Sequence, residues 1–319
     1  GYGATTAVFA SALILLLLKP LSGTLYSGKK SELLAVGVSS LINEYFLIAD
    51  NSYWKGADCV LSDNNQVGKV IPVKGCTLGD FEKAKTRVLV IGNSFSAAFT
   101  QAFDKLVLDD NFAVTITSSW GASVVKELEN NGVWSNANDY YWDHIIPDLI
   151  ADLKPGDWVF MINDMAGFSP EYPSEKNNLS LSILAAGLDK FSDELAKRSL
   201  RLAVLHGNPF AREANCEPAM AIKQWFGPRT SVCKFIPKNE TIMRRENLDK
   251  ILKILESKHK LTVIDLIDIF CPRSVCDYES KDNQILYRDV YSHPSVEGAR
   301  LSAPVIRSAL NSSNITSKN

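Results

Sequence analysis

Five apolar, β-branched runs alternate along this chain with stretches of helical spacing, and this alternation most strongly limits how the chain can fold. None of the runs alternates apolar with polar residues, so each predicts a strand buried on both faces, as in a parallel sheet covered by helices on each side. The runs occupy residues 87–92, 112–117, 157–162, 201–206 and 261–266. Between them, apolar residues keep helical spacing over 145–153, 184–195 and 248–255. The sequence therefore predicts a three-layer α/β/α sandwich.

A parallel five-stranded sheet of the flavodoxin-like type is the simplest arrangement of these runs. In such sheets, ligands bind beyond the carboxyl ends of the strands, near the point where the strand order reverses. We assign residues 87–312 to this domain, 19–86 to a connector that packs on it, and 313–319 to a tail. The composition supports one large core, with 46% hydrophobic and 22% charged residues among 319. A net charge of -2 without basic runs gives no reason to expect a nucleic-acid partner.

The first predicted strand ends in Gly92-Asn-Ser94, and a late His293 follows Asp289 at a short distance in sequence. A serine hydroxyl needs a neighbouring base to act as a nucleophile, and histidine is suited to that task. A serine at a strand-to-helix turn is also exposed at the sheet edge, where backbone N–H groups can stabilise an oxyanion. Taken alone, Gly-Asn-Ser is equally explained as a helix cap. With His293, it predicts a serine-dependent acyl-transfer site.

Two further residues follow later predicted strands and could supply oxyanion donors. Gly121 comes after the 112–117 run, and Asn163 comes directly after the 157–162 run. Each alone is more typical of a turn or loop. His206 is the last residue of the fourth run and could also reach this edge. A hydrogen bond to nearby backbone explains it at least as well, so we leave it out of the catalytic set.

The order Ser94, Gly121, Asn163, His293 resembles the four blocks of the SGNH, or GDSL-type, hydrolase superfamily. The resemblance implies Ser94 as nucleophile, His293 as base, Asp289 as the acid, and Gly121 with Asn163 in the oxyanion hole. Two positions depart from the pattern. Met161 stands where the third block has glycine, and the usual acid position, three residues before the histidine, holds Val290, with Asp289 four before.

The C-terminal part is similar to the SGNH domains that are fused to membrane acyltransferase-3 proteins. The similarity covers Phe270 to Cys276, Leu286 to Asp289 and His293 to Pro304. It implies that a membrane part of the same chain passes an acyl group, which we expect to be acetyl, to this domain, which transfers it to a hydroxyl acceptor such as a glycan. No cofactor or metal is then expected in the domain itself, and acyl-CoA would be the donor at the membrane part.

Residues 1–18 are strongly apolar, with an uncharged run from Thr6 to Leu18 that stops at Lys19-Pro20. We expect the end of a transmembrane helix, although the run is shorter than a full span. A cleaved signal peptide and a buried soluble helix are the alternatives. The expected transmembrane helix, together with the resemblance to the membrane-fused SGNH domains, places the chain in a membrane and this domain outside the cytoplasm.

The six cysteines form three pairs that are close in sequence, none with the spacing of a zinc site. An even number beside an export signal predicts disulfides in an oxidising compartment, with the pairs Cys59 and Cys76, Cys216 and Cys233, Cys271 and Cys276. Four sequons, at Asn178, Asn239, Asn311 and Asn314, are candidates for glycosylation.

Three functions are consistent with these features. A membrane-linked O-acyltransferase is the first. The second is a secreted carbohydrate or lipid esterase, which uses the same residues with water as the acceptor. The third is a non-catalytic binding domain, suggested by Met161 and by the displaced Asp289.

Overall fold

The computed structural model of the chain describes residues 45–47, 53–109, 111–207, 235–282, 284–289 and 291–312. The predicted span at 1–18, the pair Cys216 and Cys233, and the sequon at Asn314 lie outside these ranges. Among the described helices, none is both long and apolar enough to cross a membrane.

A six-stranded sheet forms the centre of the fold, and five of its strands are parallel. The parallel strands are Thr86–Gly92, Phe112–Ile116, Trp158–Ile162, Arg201–Leu205 and Thr262–Ile264. All five coincide with the predicted runs to within two residues at each end. Numbered one to five along the chain, they stand in the order 2-1-3-4-5, which is the flavodoxin-like order. The predicted fold class is confirmed.

The sixth strand, Thr77–Leu78, was not predicted. It pairs antiparallel with Phe112–Ile116 at one edge of the sheet. Two residues give no periodicity, so this strand could not be recognised in the sequence. Residues 77–78 belong to the segment predicted as a connector, and that part of it therefore extends the sheet.

Burial of the strands explains the layers. Every residue of Phe112–Ile116 and of Trp158–Ile162 is buried, which requires cover on both faces. The helix Glu175–Ala196 packs against Glu246–Ser257, and the last helix, Val296–Ser312, packs beside the turn at Thr100–Ala102.

The remaining elements are shorter. A helical stretch runs through Ser135–Tyr140, a single π-helical turn at Tyr141–Ile145, and Ile146–Ala151. The other helices are Gly56–Cys59, Val73–Cys76, Ser94–Ala98, Lys238–Arg244 and Ile267–Phe270. Short strands form three further pairs, namely Tyr45–Leu47 with Tyr53–Lys55, Val60–Leu61 with Ser118–Ser119, and Ile236–Pro237 with Val275–Cys276.

Two predicted disulfides are confirmed. Cys59 is bonded to Cys76, and Cys271 to Cys276. All four cysteines are fully buried. The second bridge closes the loop that leads from the helix Ile267–Phe270 toward the Asp289–His293 segment.

Candidate active site

The turn after the first parallel strand places Ser94 at the carboxyl edge of the sheet. The strand ends at Gly92, whose φ is 152° and where a Cβ atom would lie 1.9 Å from the carbonyl oxygen of Ile162. Only glycine fits this close approach between two neighbouring strands. Asn93 then caps the helix Ser94–Ala98, because its Oδ1 accepts a hydrogen bond from the N–H of Phe95 at 3.1 Å. Ser94 is therefore the first residue of the helix.

Hydrogen bonds with buried hydroxyl groups fix the position of this turn. The Gly92 N–H donates to the Tyr141 hydroxyl at 3.2 Å, and that hydroxyl lies 2.7 Å from Oγ1 of Thr117. Burial raises the pKa of Tyr141 to about 12. Ser118 donates to the carbonyl of Asn93 at 2.7 Å. The ends of the first two parallel strands are thus fixed to each other beneath Ser94.

Ser94, His293 and Asp289 form one chain of hydrogen bonds. The Oγ of Ser94 lies 2.7 Å from Nε2 of His293, although 199 residues separate them in sequence. On the other side of the ring, Nδ1 of His293 lies 2.7 Å from Oδ2 of Asp289. A proton on Nδ1 that is donated to Asp289 leaves Nε2 to accept the serine proton. This arrangement can activate a serine hydroxyl as a nucleophile.

The four-residue spacing from Asp289 to His293 is accommodated by a tight turn. Oδ1 of Asp289 accepts the N–H groups of Tyr291 at 3.0 Å and of His293 at 3.2 Å. Ser292 takes a left-handed conformation with φ of 66°. The turn brings the carboxylate back to the imidazole in spite of the additional residue.

Opposing effects act on the pKa of Asp289, the carboxylic acid in this chain of hydrogen bonds. Burial raises the pKa of Asp289, but the hydrogen bond from His293 and the charges of His293 and Arg288 outweigh it, so the pKa lies below its ordinary value. Arg288 Nε is 3.7 Å from the same oxygen that faces His293. Burial lowers the pKa of Arg288. Asp289 is therefore held as a carboxylate, as an acceptor for His293 requires.

Asn163 and Gly121, the predicted oxyanion donors, lie on adjoining segments of the same edge. Asn163 is buried, and its Nδ2 donates to the carbonyl of Ala122 at 3.3 Å. Gly121 precedes Ala122 and has a φ of 67°, with the Trp134 ring 2.8 Å from where its Cβ would be. Asn163 also follows the strand paired with the one that leads to Ser94, so Ser94 and Asn163 flank the reversal in strand order.

His206 has a side-chain partner that the sequence did not reveal. It is buried at the end of the fourth parallel strand, with Nε2 2.7 Å from Oδ1 of Asp249. Its Nδ1 lies 3.4 Å from the carbonyl of Gly207, in line with the expected backbone contact. Arg245 donates to the same Asp249 oxygen at 2.9 Å, so His206, Asp249 and Arg245 form a partly buried hydrogen-bonded cluster. Within the described residues, no group of three His, Cys, Asp or Glu side chains is arranged to hold a metal ion.

Residues that sequence reasoning missed surround the His293 ring. The buried Phe95 packs against it, with ring centroids 4.5 Å apart. The exposed Tyr291 also contacts it, with centroids 6.1 Å apart. The single sequence signal for Tyr291 is the additional residue between Asp289 and His293. Arg288 lies within the Leu286 to Asp289 part of the C-terminal resemblance, and the sequence gives it no role of its own.

A hydrogen-bonded serine, histidine and aspartate at the edge of a flavodoxin-like sheet defines the class of serine-dependent esterases and acyltransferases. The sequence matches the family model described as "SGNH domain (fused to AT3 domains)" over residues 58–308. This match spans most of the chain, which therefore belongs to that family.

Comparison with curated proteins gives no match. Among solved structures, TesA is 13% identical, with 71% of this chain and 99% of that one covered and a TM-score of 0.42. The acetylxylan esterase Axe2 of Geobacillus stearothermophilus is 14% identical over 71% and 94%, also at 0.42. A putative acylhydrolase of Bacteroides fragilis is 12% identical over 72% and 88%, at 0.40. At these values, nothing about substrates follows from the three structures.

Proposed function

We propose that this chain is the extracytoplasmic domain of a membrane O-acyltransferase, and that it moves an acyl group through Ser94 to a hydroxyl acceptor. The observation that carries the chemistry is the 2.7 Å contact between Ser94 Oγ and His293 Nε2. The membrane context is supported by the description of the matched family, whose SGNH domains are fused to AT3 domains. The donor at that membrane part would be acyl-CoA, and the simplest acyl group is acetyl.

In the first half-reaction, Nε2 of His293 takes the proton of Ser94 as Oγ attacks the acyl carbonyl carbon. The negative charge on the carbonyl oxygen is stabilised by the N–H groups of Ser94 and Gly121 and by the Asn163 amide. Ala122 accepts one of the two Nδ2 hydrogens of Asn163, and we assign the second to the oxyanion. Each such donor is worth about a hundredfold or more in rate. The intermediate collapses to an acyl-serine, and His293 gives its proton to the leaving group.

In the second half-reaction, an acceptor hydroxyl attacks the acyl-serine while His293 takes its proton. Asp289 keeps the imidazole in the orientation and tautomer that both steps need. Water in place of the acceptor gives an esterase, the second candidate, by the same steps and through the same contacts. The contact between Asp289 and His293 weighs against the third candidate, a binding domain, because the displaced acid had motivated it.

Several features support a location outside the cytoplasm. The disulfides Cys59–Cys76 and Cys271–Cys276 suit an oxidising compartment. The sequon residues Asn178, Asn239 and Asn311 are exposed, as glycosylation would require. We propose both the location and the glycosylation as part of this function.

Two measurements test the proposal. A fluorophosphonate probe should label the folded chain at Ser94, and Ser94→Ala should abolish labelling, while Ser182→Ala, on the exposed side of the Glu175–Ala196 helix, should keep it. Membranes that carry the protein should transfer label from acetyl-CoA to an alkali-labile ester on glycan material, and Ser94→Ala should stop this transfer. Labelling of Ser94 without transfer would favour the esterase. A folded chain without a Ser94 adduct would contradict both enzymatic candidates.

A further inference from the structure

Tyr291, in the turn between Asp289 and His293, is an exposed aromatic residue beside His293, the proposed base. Because Asp289 Oδ1 binds the N–H groups of Tyr291 and His293, the backbone between them curls around the carboxylate. The Tyr291 side chain is 71% exposed. Its ring is inclined at 63° to the His293 ring, with centroids 6.1 Å apart.

The two aromatic neighbours of the His293 ring differ in exposure. Phe95 is 4% exposed, with its ring centroid 4.5 Å from that of His293, whereas Tyr291 faces solvent. Single exposed aromatic residues are common on protein surfaces and need no explanation by themselves. At Tyr291 the position is informative, because this exposed ring is a direct neighbour of the buried His293 ring.

A carboxylate borders the same site from the strand that leads to Asn163. Asp164 is exposed, and its N–H donates at 3.3 Å to Oδ1 of Asn93, the residue before Ser94. Oδ1 of Asp164 accepts the N–H of Ala166 at 2.9 Å, which fixes the carboxylate in place. Loss of hydration against the protein raises the pKa of Asp164 above its ordinary value, although the hydrogen bond from the Ala166 N–H and the charge of His293 both lower it.

We propose that Tyr291 and Asp164 form the acceptor subsite, and that the acceptor is a pyranose whose apolar C–H face packs on the Tyr291 ring while a hydroxyl donates to Asp164. This inference rests on the proposed function and specifies its acceptor. A sugar ring combines an apolar face with hydroxyl groups at its rim. A pair made of an aromatic ring and a fixed carboxylate matches both parts, as in binding sites that combine apolar walls with a few oriented polar groups.

The step served by this subsite is the transfer from the acyl-serine. The pyranose oxygen forms a bond to the acyl carbon, and its proton goes to Nε2 of His293. The bond between that carbon and Ser94 Oγ breaks, and Oγ takes the proton from His293. The subsite positions the attacking oxygen, so its loss should shift the acyl-enzyme from transfer toward hydrolysis.

The test is a partition measurement on the 319-residue chain, with p-nitrophenyl acetate as donor. Acetyl-enzyme is offered either methyl glucopyranoside or n-propanol, and ester product is compared with free acetate. For the wild type, we expect transfer to the pyranoside in preference to propanol. Tyr291→Leu should reduce that preference by up to about tenfold, the scale of one aromatic contact. Tyr291→Phe should retain it, and Asp164→Asn should raise the acceptor KM.

Tyr172→Leu is the matched control, because Tyr172 is 80% exposed and lies beside Met243 and Arg244. It should leave the partition ratio unchanged. Two results would overturn the subsite while p-nitrophenol release still depends on Ser94. These are an unaltered partition ratio in Tyr291→Leu, or no preference for the pyranoside in the wild type. Either result would leave the proposed Ser94 chemistry in place. Release that does not depend on Ser94 would overturn the proposed function itself.

Discussion

Oδ2 of Asp289 lies 2.7 Å from Nδ1 of His293, four residues further along the chain. In the sequence, Val290 holds the position where the family pattern places its acid, and valine has no group that could orient a histidine. The turn closes on the carboxylate through the N–H groups of Tyr291 and His293. Asp289, the proposed acid, therefore lies one residue earlier than the family pattern places it and still makes a direct hydrogen bond to the imidazole.

Asp289→Asn should lower kcat/KM for p-nitrophenyl acetate by about a thousandfold to ten-thousandfold, the scale for loss of an orienting acid. The amide can stabilise the wrong tautomer of His293, with the proton on Nε2. Steady-state kinetics measure this change. Asp282→Asn removes an exposed carboxylate seven residues earlier and should leave kcat/KM within twofold. An Asp289→Asn enzyme with wild-type rates would show that His293 needs no acid.

Gly92→Ala should destabilise the fold by more than about 3 kcal/mol, because the new Cβ would meet the Ile162 carbonyl and must push two paired strands apart. Gly68→Ala is the control for backbone strain alone, since Gly68 has a φ of 92° with open space around its Cβ position. It should cost only about 1 kcal/mol. Urea unfolding measures both variants. Equal losses would mean that the strand approach at Gly92 does not constrain the site.

The partly buried cluster around Asp249 predicts a pH-dependent contribution to stability. Burial raises the pKa of Asp249, but hydrogen bonds and charges from His206 and Arg245 outweigh it and bring the pKa from 3.8 to about 2. Because the folded pKa is lowered, the contribution is complete above the unfolded pKa and is lost as pH falls through the folded one. Asp249→Asn should therefore reduce the free energy of unfolding at pH 7 by about 1–2 kcal/mol.

This difference from the wild type should shrink as the pH falls from about 4 to about 2, and urea titrations at each pH measure it. Asp268→Asn is the control, because Asp268 pairs with Lys238 at the surface and such pairs contribute about 1 kcal/mol or less. A difference between wild type and Asp249→Asn that is constant down to pH 2 would mean that the carboxylate is not held by its partners.

Most of the fold could be predicted from the sequence, because strands that are buried on both faces consist of long apolar runs. Strands such as Trp158–Ile162 bury every residue, and their positions were predicted almost to the residue. The strand Thr77–Leu78 could not be predicted, because two residues are too few to show a period. Its antiparallel pairing depends on the neighbouring Phe112–Ile116 strand and on no local pattern.

In the candidate site, some residues could be predicted from the sequence, but the contacts that hold them could not. Ser94 and His293 stand at positions with a chemical signature, whereas the Tyr141 hydroxyl under Gly92 is a contact across 49 residues that no local pattern encodes. The turn at Ser292 and the exposure of Tyr291 also depend on three-dimensional closure of the Asp289–His293 segment. Spacing alone left Asp289 one residue away from the usual acid position, and only the fold shows that its carboxylate reaches the imidazole.

The most direct test of the central claim is detection of the acyl-serine itself. The chain is mixed with p-nitrophenyl acetate, quenched with acid within milliseconds to seconds, digested, and analysed by mass spectrometry. We predict one acetyl group on the peptide that contains Ser94, which forms at the rate of the p-nitrophenol burst and is absent from Ser94→Ala and strongly reduced in His293→Ala. A burst with acetyl on any other residue, or turnover in Ser94→Ala equal to wild type, would contradict the account.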